Sequence, residues 1–521
     1  MLKTTLLFAA LFSCTLLYFS EQVFAQTTAP ATAPSFMTDS LDAYIRQGMQ
    51  AWNIPGLAIV VIKDGHTVVM KGYGTRELGK DAPVDENTLF LIASNTKLFT
   101  GTAIAELDAE KKLSLTDKVT KYFPDFRLYD TNATRLLDVR DLLSHHLGTK
   151  TFQGDFSFWD SNLGRDAIMA KIRLLRPEGQ FRQDFGYCNS CFLTAGQLIP
   201  KVTGQSWDDY IQQHFLVPLE MTHTYTTTLG VAARPNVARP YTTLYGDPVA
   251  LPYDQLDNLG PAGSMVSCVR DLSHWLQMQL DSGRFEGRTI FPWPVIQQTR
   301  VAGTIIRSSL SRMIPMHYED YGLGVFNADY NGHQVYWHTG GAMGFVSNTC
   351  FVPEDGLAIS ILTNNDDQSF FEALRLQILD AYLGVPYINR SYQLLTRALQ
   401  EKIKTLKDVN TWKSKVQKAG PPTLPLSAFT GTYVHPVYGN IRITQDNGRL
   451  LILFEHHPNL SATLDYMGDN TFLMTFSNPS FGIFPAPFQI SGGKVRNVTV
   501  KVVDGLEYDP YVFVKVPPGG K

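Results

Sequence analysis

Cysteine is scarce: five in 521 residues cannot build a disulfide framework. Charge of one sign is not in excess either. Lys and Arg number 45 against 48 Asp and Glu, a net charge of −3. That balance leaves no electrostatic footprint for nucleic acid or an acidic membrane surface. There is no internal repeat. Beyond the first residues, no apolar run is long enough to cross a bilayer. What is present is apolar bulk, 44% of the chain with seven Trp. The length implies more than one domain, a large one among them.

The first 26 residues, "MLKTTLLFAALFSCTLLYFSEQVFAQ", carry Lys3, an apolar run from Leu6 to Phe19, and Val23-Phe24-Ala25 before Gln26. This pattern predicts a secretory signal over residues 1–25, and hence export to the periplasm or beyond. The run is short for a membrane anchor, and Cys14 reads as part of the signal core. Residues 26–36 contain "TTAPATAPS", a Pro/Ala/Thr linker. Removing the signal leaves Cys188, Cys191, Cys268 and Cys350. Cys188 and Cys191 form C-x-x-C. The preferred reading is two small, semi-buried thiols on one helical turn; the alternative is a redox pair.

From residue 37 the pattern is α+β. "GLAIVVIKDGHTVVMKGYG" predicts a hairpin turning at Asp64-Gly65. "DENTLFLIASNTKLFTGTAIAELDAEKKL" and "LDVRDLLSHHLG" are helix-like. The middle of the chain is a mosaic of short helices and Pro/Gly loops. A second hairpin is predicted at Asn331-Gly332, followed by two more apolar β-rich runs and the amphipathic "FFEALRLQILDAYLG". Strands therefore come from both ends of one domain, 37–390. Residues 391–425 read as a helical, charged and Pro-rich linker. Residues 426–521 alternate like strands, with a turn at Asn447-Gly448. They predict a small all-β, barrel-like domain.

Three short motifs can carry chemistry. Ser94 and Lys97 lie three apart, on one face of a helix. A serine hydroxyl needs a base, and a lysine amine can serve if burial lowers its pKa. N–H groups at the helix start would face a developing oxyanion. The second motif is Tyr187-Cys188-Asn189. A phenol beside an ammonium is expected to have a depressed pKa and to shuttle a proton. The Asn189 amide can hold both a substrate carbonyl and the lysine. The third is His338-Thr339-Gly340-Gly341 after a strand-like run. Its glycines permit close approach, and its side chains can donate to a substrate carboxylate or carbonyl.

In this order the motifs resemble the serine penicillin-recognising enzymes: S-x-x-K, Tyr-x-Asn, then Lys/His-Thr-Gly. Tyr187 resembles the class C β-lactamase branch and its DD-peptidase, D-aminopeptidase and esterase relatives. "DLLSHHLGT" and "PAGSMVSCVRDLSHWL" are similar to flanking segments of that branch, and the likeness covers about Met37 to Leu383. The tail resembles a lipocalin-like accessory domain. The resemblance implies a β-lactamase/transpeptidase-like antiparallel sheet flanked by helices, with a helical subdomain. It implies Ser94 as nucleophile and Lys97 and Tyr187 as acid–base groups. Asn189 would position the substrate amide and Lys97. The N–H groups of Ser94 and Gly341 would form the oxyanion hole, and His338, Thr339 and Gly340 would line the pocket. No cofactor or metal is implied, and the partner would be a small-molecule or peptide substrate.

Two departures qualify this picture. His338 stands where class C β-lactamases have lysine, a permanent cation, and this lowers the expectation of efficient β-lactam hydrolysis. Pro200 is expected to interrupt the helix after Tyr-x-Asn. His145-His146 and His456-His457 read as structural. The expected activity is acyl transfer on an amide, ester or β-lactam, with D-amino-acid peptides or cell-wall stems favoured. The alternative is a penicillin-binding sensor that never turns over, or a substrate-binding protein on the same fold.

Overall fold

The computed structural model describes residues 33–517. The signal predicted over 1–25 lies outside them, as does most of the linker. Strands β1 (Gly56–Lys63) and β2 (His66–Gly74) meet at Asp64-Gly65, with φ of 51° and 76°. Positive φ at both positions is what a two-residue type I′ turn demands. The rest of the sheet comes from far along the chain. It comprises β3 (Thr304–Ser308), β4 (Tyr318–Tyr321), β5 (Phe326–Tyr330), β6 (His333–Ala342), β7 (Phe345–Val352) and β8 (Leu357–Thr363). The eight strands run in the order β2-β1-β8-β7-β6-β5-β4-β3. The N-terminal hairpin thus joins the last strand, as α+β order predicts.

β1 is buried on both faces, which is why "LAIVVI" is continuous rather than alternating. Helix α1 (Leu41–Ala51) covers one face. The other faces a helical layer containing α2 (Thr96–Ala109), α3 (Asn189–Gly196) and α4 (Val269–Leu280). Helix α5 (Phe370–Tyr382) packs beside α1. Leu57, Ile59 and Val61 point toward Ile45, Phe370 and Leu374; Ala58, Val60 and Ile62 point into the core that holds Trp275. Each fully buried aliphatic side chain contributes about 1.5–3 kcal/mol. α3 ends at Gly196 and a new helical segment starts at Leu198. Pro200 supplies no N–H there, and its ring crowds the carbonyl four residues back.

Helix α6 (Arg390–Lys418) is one unbroken helix within the stretch read as a helical and Pro-rich linker. Its first residue is locked into the larger domain. Arg390 Nε sits 2.6 Å from Asp380 Oδ2, both side chains 1% exposed. The boundary expected at 390/391 therefore falls inside an anchored helical turn.

The tail forms a closed barrel, β9 (Gly431–His435), β10 (Gly439–Asp446), β11 (Arg449–Phe454), β12 (His457–Tyr466), β13 (Thr471–Phe476), β14 (Ile483–Ser491), β15 (Lys494–Val500) and β16 (Tyr511–Lys515). Closure leaves no strand edge unpaired. The barrel does not stand apart. Phe156 of the larger domain is fully buried among Tyr438, Phe454, His457, Phe481 and Tyr511 of the barrel. One apolar core runs through both.

Candidate active site

Ser94 lies in a single turn, Ala93–Asn95, that feeds α2. Ala93 before it has φ of 45°, the left-handed region that a side chain disfavours. Such local strain persists only where surrounding packing over-determines it. Lys97 is fully buried. Its Nζ is 3.0 Å from Ser94 Oγ, 2.7 Å from Asn189 Oδ1 and 2.7 Å from the Ala262 carbonyl. A neutral amine has two N–H donors and one lone pair. In that state the two donors meet two obligate acceptors, Asn189 Oδ1 and the Ala262 carbonyl, which leaves the lone pair for Ser94. Burial drives the Lys97 pKa well below its ordinary value, opposed by Asp155.

Asn189 is held from both ends. Its Oδ1 accepts from Lys97, and its Nδ2 donates to Asp155 Oδ2 at 2.6 Å. Asp155 is buried, and burial pushes its carboxyl well up, against the Asn189 hydrogen bond. Tyr187 Oη has no hydrogen-bond partner among the described residues. The Tyr187 ring lies 4.8 Å from Lys97 Nζ. The depressed phenol predicted from sequence is not found: burial raises it, and the neighbouring Ser94 hydroxyl offsets only part of this. Burial therefore favours the neutral Tyr187 phenol over a tyrosinate.

The two-thiol reading of C-x-x-C is also corrected. Cys188 and Cys191 are joined in a disulfide, with Cα atoms 5.4 Å apart. Cys188 caps α3 in extended backbone (φ −132°, ψ 107°) while Cys191 sits in the first turn. This brings the two side chains together at ordinary bridging separation. No residue from 187 to 191 has positive φ. His145 supports the segment by accepting from Cys188 N at 3.0 Å.

β6 forms the facing wall. Gly340 packs against the turn that carries Ser94. A Cβ there would fall 2.0 Å from the Ile92 carbonyl oxygen, whereas at Gly341 it would meet open space. Thr339 Oγ1 accepts from Asn348 Nδ2 at 2.9 Å, and Thr339 borders the cavity. His338 differs from expectation. It is fully buried, with Nδ1 2.8 Å from the Thr339 carbonyl and Nε2 2.8 Å from Tyr321 Oη. A carbonyl only accepts, so Nδ1 carries the proton and Nε2 accepts from Tyr321. Burial lowers the ring to about 3. His338 is neutral, and neither nitrogen is free for a substrate carboxylate.

Ser94, Tyr187, Asn189, His338, Thr339 and Gly341 all border one cavity of about 640 Å³; Gly340 and Lys97 stand behind its wall. Its surface is mainly apolar, with Phe152, Trp159, Phe326 and Met343. Leu506 and Tyr508 come from the barrel. Among the described residues no Lys or Arg lines it; its charged-type groups are Asp155, Asp366 and Asp367. Sequence reasoning missed Asp155 and Tyr321. Asp155 lies in no motif, and only the fold shows that it reaches Asn189.

The β-lactamase family model matches residues 41–383. The chain belongs to the β-lactamase family. The family match takes in the sheet, the Ser94 turn and all three motifs. A second model, "Domain of unknown function (DUF3471)", matches 415–515 and covers the barrel. Among the relatives of this β-lactamase-family chain, Unguisins hydrolase ungD' of Aspergillus campestris (strain IBT 28561) is 27% identical over 434 residues, 78% of each chain. Unguisins hydrolase ungD of Aspergillus violaceofuscus (strain CBS 115571) is 26% identical over 536 residues, 93% of this chain and 90% of that one. The fold is shared with the octameric penicillin-binding protein homologue from Pyrococcus abyssi (TM-score 0.58, 21% identity, 91% of this chain and 99% of that one). Family and relatives together make this β-lactamase-family chain a hydrolase.

Proposed function

We propose that the chain is a serine hydrolase working by acyl transfer on a neutral amide or ester. The observation that carries this is the fully buried Lys97 Nζ, 3.0 Å from Ser94 Oγ and held by the Asn189 and Ala262 carbonyl oxygens, which leave a neutral amine's lone pair for Ser94. Lys97 takes the Ser94 proton as Oγ adds to the substrate carbonyl. The N–H groups of Ser94 and Gly341 take the oxyanion. Tyr187, kept protonated by burial, gives a proton to the leaving group and recovers one from Lys97. Water then cleaves the acyl-enzyme with the same groups.

The pocket also bears on the substrate. A carboxylate beside the scissile bond would meet a neutral, fully engaged His338 and no Lys or Arg. Desolvating an anion without a partner is costly. This favours peptide-like amides or esters with apolar groups over penicillins. D-amino-acid peptides fit both this pocket and the resemblance of the motifs. The leader pattern and the Cys188–Cys191 bond support action after export.

The test compares hydrolysis of a neutral p-nitrophenyl ester and a D-alanine p-nitroanilide with that of a carboxylate-bearing cephalosporin. The ester or anilide is expected to show a kcat/KM at least about tenfold higher, worth about 1.4 kcal/mol of transition-state binding. All activity should vanish in Ser94→Ala. Preference for the cephalosporin overturns the substrate assignment, and activity surviving in Ser94→Ala overturns the mechanism.

A further inference from the structure

The barrel reaches the catalytic half through the loop between β15 and β16, residues 501–510. Leu506 and Tyr508 of this loop stand in the cavity wall, and Tyr508 stacks on Phe152 with ring planes 14° apart. Glu507 between them is 2% exposed. Its carboxylate accepts from Gly154 N at 2.9 Å, Phe156 N at 3.0 Å and Tyr511 Oη at 2.8 Å. Gly154 and Phe156 bracket Asp155. From Asp155 the hydrogen bonds run on to Asn189 (2.6 Å), Lys97 (2.7 Å) and Ser94 (3.0 Å). Nearby, Lys150 Nζ meets Asp509 Oδ1 at 2.5 Å, and Lys501 Nζ donates to the Glu507 carbonyl at 2.7 Å. The loop is thus fixed on both sides of Glu507.

We infer that Glu507 is a positioning residue for the reaction: from the barrel it fixes the backbone on either side of Asp155, and through Asp155 and Asn189 it holds Lys97 on Ser94. This rests on the acyl-transfer reading of Ser94. Two backbone N–H groups donating to one buried carboxylate make strong, directional bonds. A displacement of about 1 Å in a reacting pair costs on the order of a hundredfold in rate. The barrel is then part of the catalytic apparatus, and its loop both shapes the cavity and sets the relay behind it.

The test is a double-mutant cycle on labelling by a neutral alkyl fluorophosphonate. In that reaction Ser94 Oγ forms the bond to phosphorus, fluoride leaves and the hydroxyl proton passes to Lys97. Glu507→Gln keeps the shape but turns an amide N–H₂ toward one of the two backbone donors. It should slow labelling about tenfold with the reversible binding step unchanged. In an Asp155→Asn background the same change should cost less than about twofold, because its route through Asp155 is already cut. A merely structural role predicts equal falls in both backgrounds, and that result overturns the inference, as does no fall in either. Thermal unfolding is followed for every variant. If Glu507→Gln does not fold, Tyr511→Phe carries the same cycle, since it removes one donor to Glu507 together with only the long 3.4 Å bond from Ser157 Oγ. Ser94→Ala is run alongside. Labelling that persists there sinks the Ser94 reading itself. Ser94-dependent labelling untouched by Glu507→Gln sinks only this inference.

Discussion

Gly340→Ala tests how closely β6 must approach the Ser94 turn. The added Cβ would lie 2.0 Å from the Ile92 carbonyl oxygen and 2.5 Å from Ser347 Oγ. Restoring an ordinary contact of 3.4 Å requires the turn or the strand to move by about 1.4 Å. Neither is soft. Ile92 O already accepts from Ser347 Oγ at 2.7 Å and from Asn95 N at 3.1 Å, and β6 is paired to β7 from Tyr336 to Ala342. Overpacking of this kind costs about 1–3 kcal/mol in stability. The larger effect is on rate. Ile92 lies two residues before Ser94, so the shift separates the Ser94 and Gly341 N–H groups from one another. We expect labelling by an alkyl fluorophosphonate to slow on the order of a hundredfold. Gly420→Ala is the control: its Cβ meets open space, its φ is not in the left-handed region, and it lies outside the cavity. It should stay within about threefold of wild type, because it leaves the reacting geometry in place. Gly340→Ala labelling at the wild-type rate with an unchanged melting temperature would refute the reasoning.

Further outcomes follow from the same geometry. Because burial lowers Lys97, its neutral form gains population at lower pH than an exposed lysine; labelling should rise with pH and level off well below 10.5, whereas a rate still climbing to pH 10 contradicts a lowered amine. Phe156→Ala empties a fully buried site at the barrel mouth and should cost about 3–5 kcal/mol in denaturant unfolding. Burial raises the Glu507 carboxyl from 4.5 to about 7, so the native state holds that proton more tightly than the unfolded chain between those values. This contribution is full below about 4.5 and is lost as pH rises through 7; Glu507→Gln should flatten the pH–stability curve there by on the order of 3 kcal/mol. Arg390→Ala strands Asp380 as a buried charge and should destabilise the larger domain by about 3–5 kcal/mol by urea titration.

Much of this protein is local and therefore legible in the sequence. Asp64-Gly65, Asn331-Gly332 and Asn447-Gly448 each combine two turn residues between apolar runs, and each adopts positive φ at both positions. The sheet drawn from both chain ends and the closed barrel follow from that punctuation. Ser94, Lys97, Tyr187 and Asn189 could be named because their motifs are short and ordered. What stayed hidden depends on distant partners. Asp155 meets Asn189 only after folding, and Glu507 meets Gly154 across 353 positions. The state of His338 is set by Tyr321 on another strand, which takes up Nε2. C-x-x-C spacing suits thiols and a bridge alike, and only the folded chain shows the two cysteines at bridging separation. The Tyr187 phenol was expected to feel mainly the nearby amine. Its burial, which no motif encodes, outweighs that effect.

The central claim is that Ser94 is a nucleophile deprotonated by a buried, neutral Lys97. Intact-protein mass after mixing the mature chain with a neutral alkyl fluorophosphonate tests it most directly, with Ser94→Ala and Lys97→Ala alongside. We predict one phosphonyl adduct on the wild-type protein, none on Ser94→Ala, and a severely slowed adduct on Lys97→Ala. An unlabelled wild type, or equal labelling of Ser94→Ala, would contradict it.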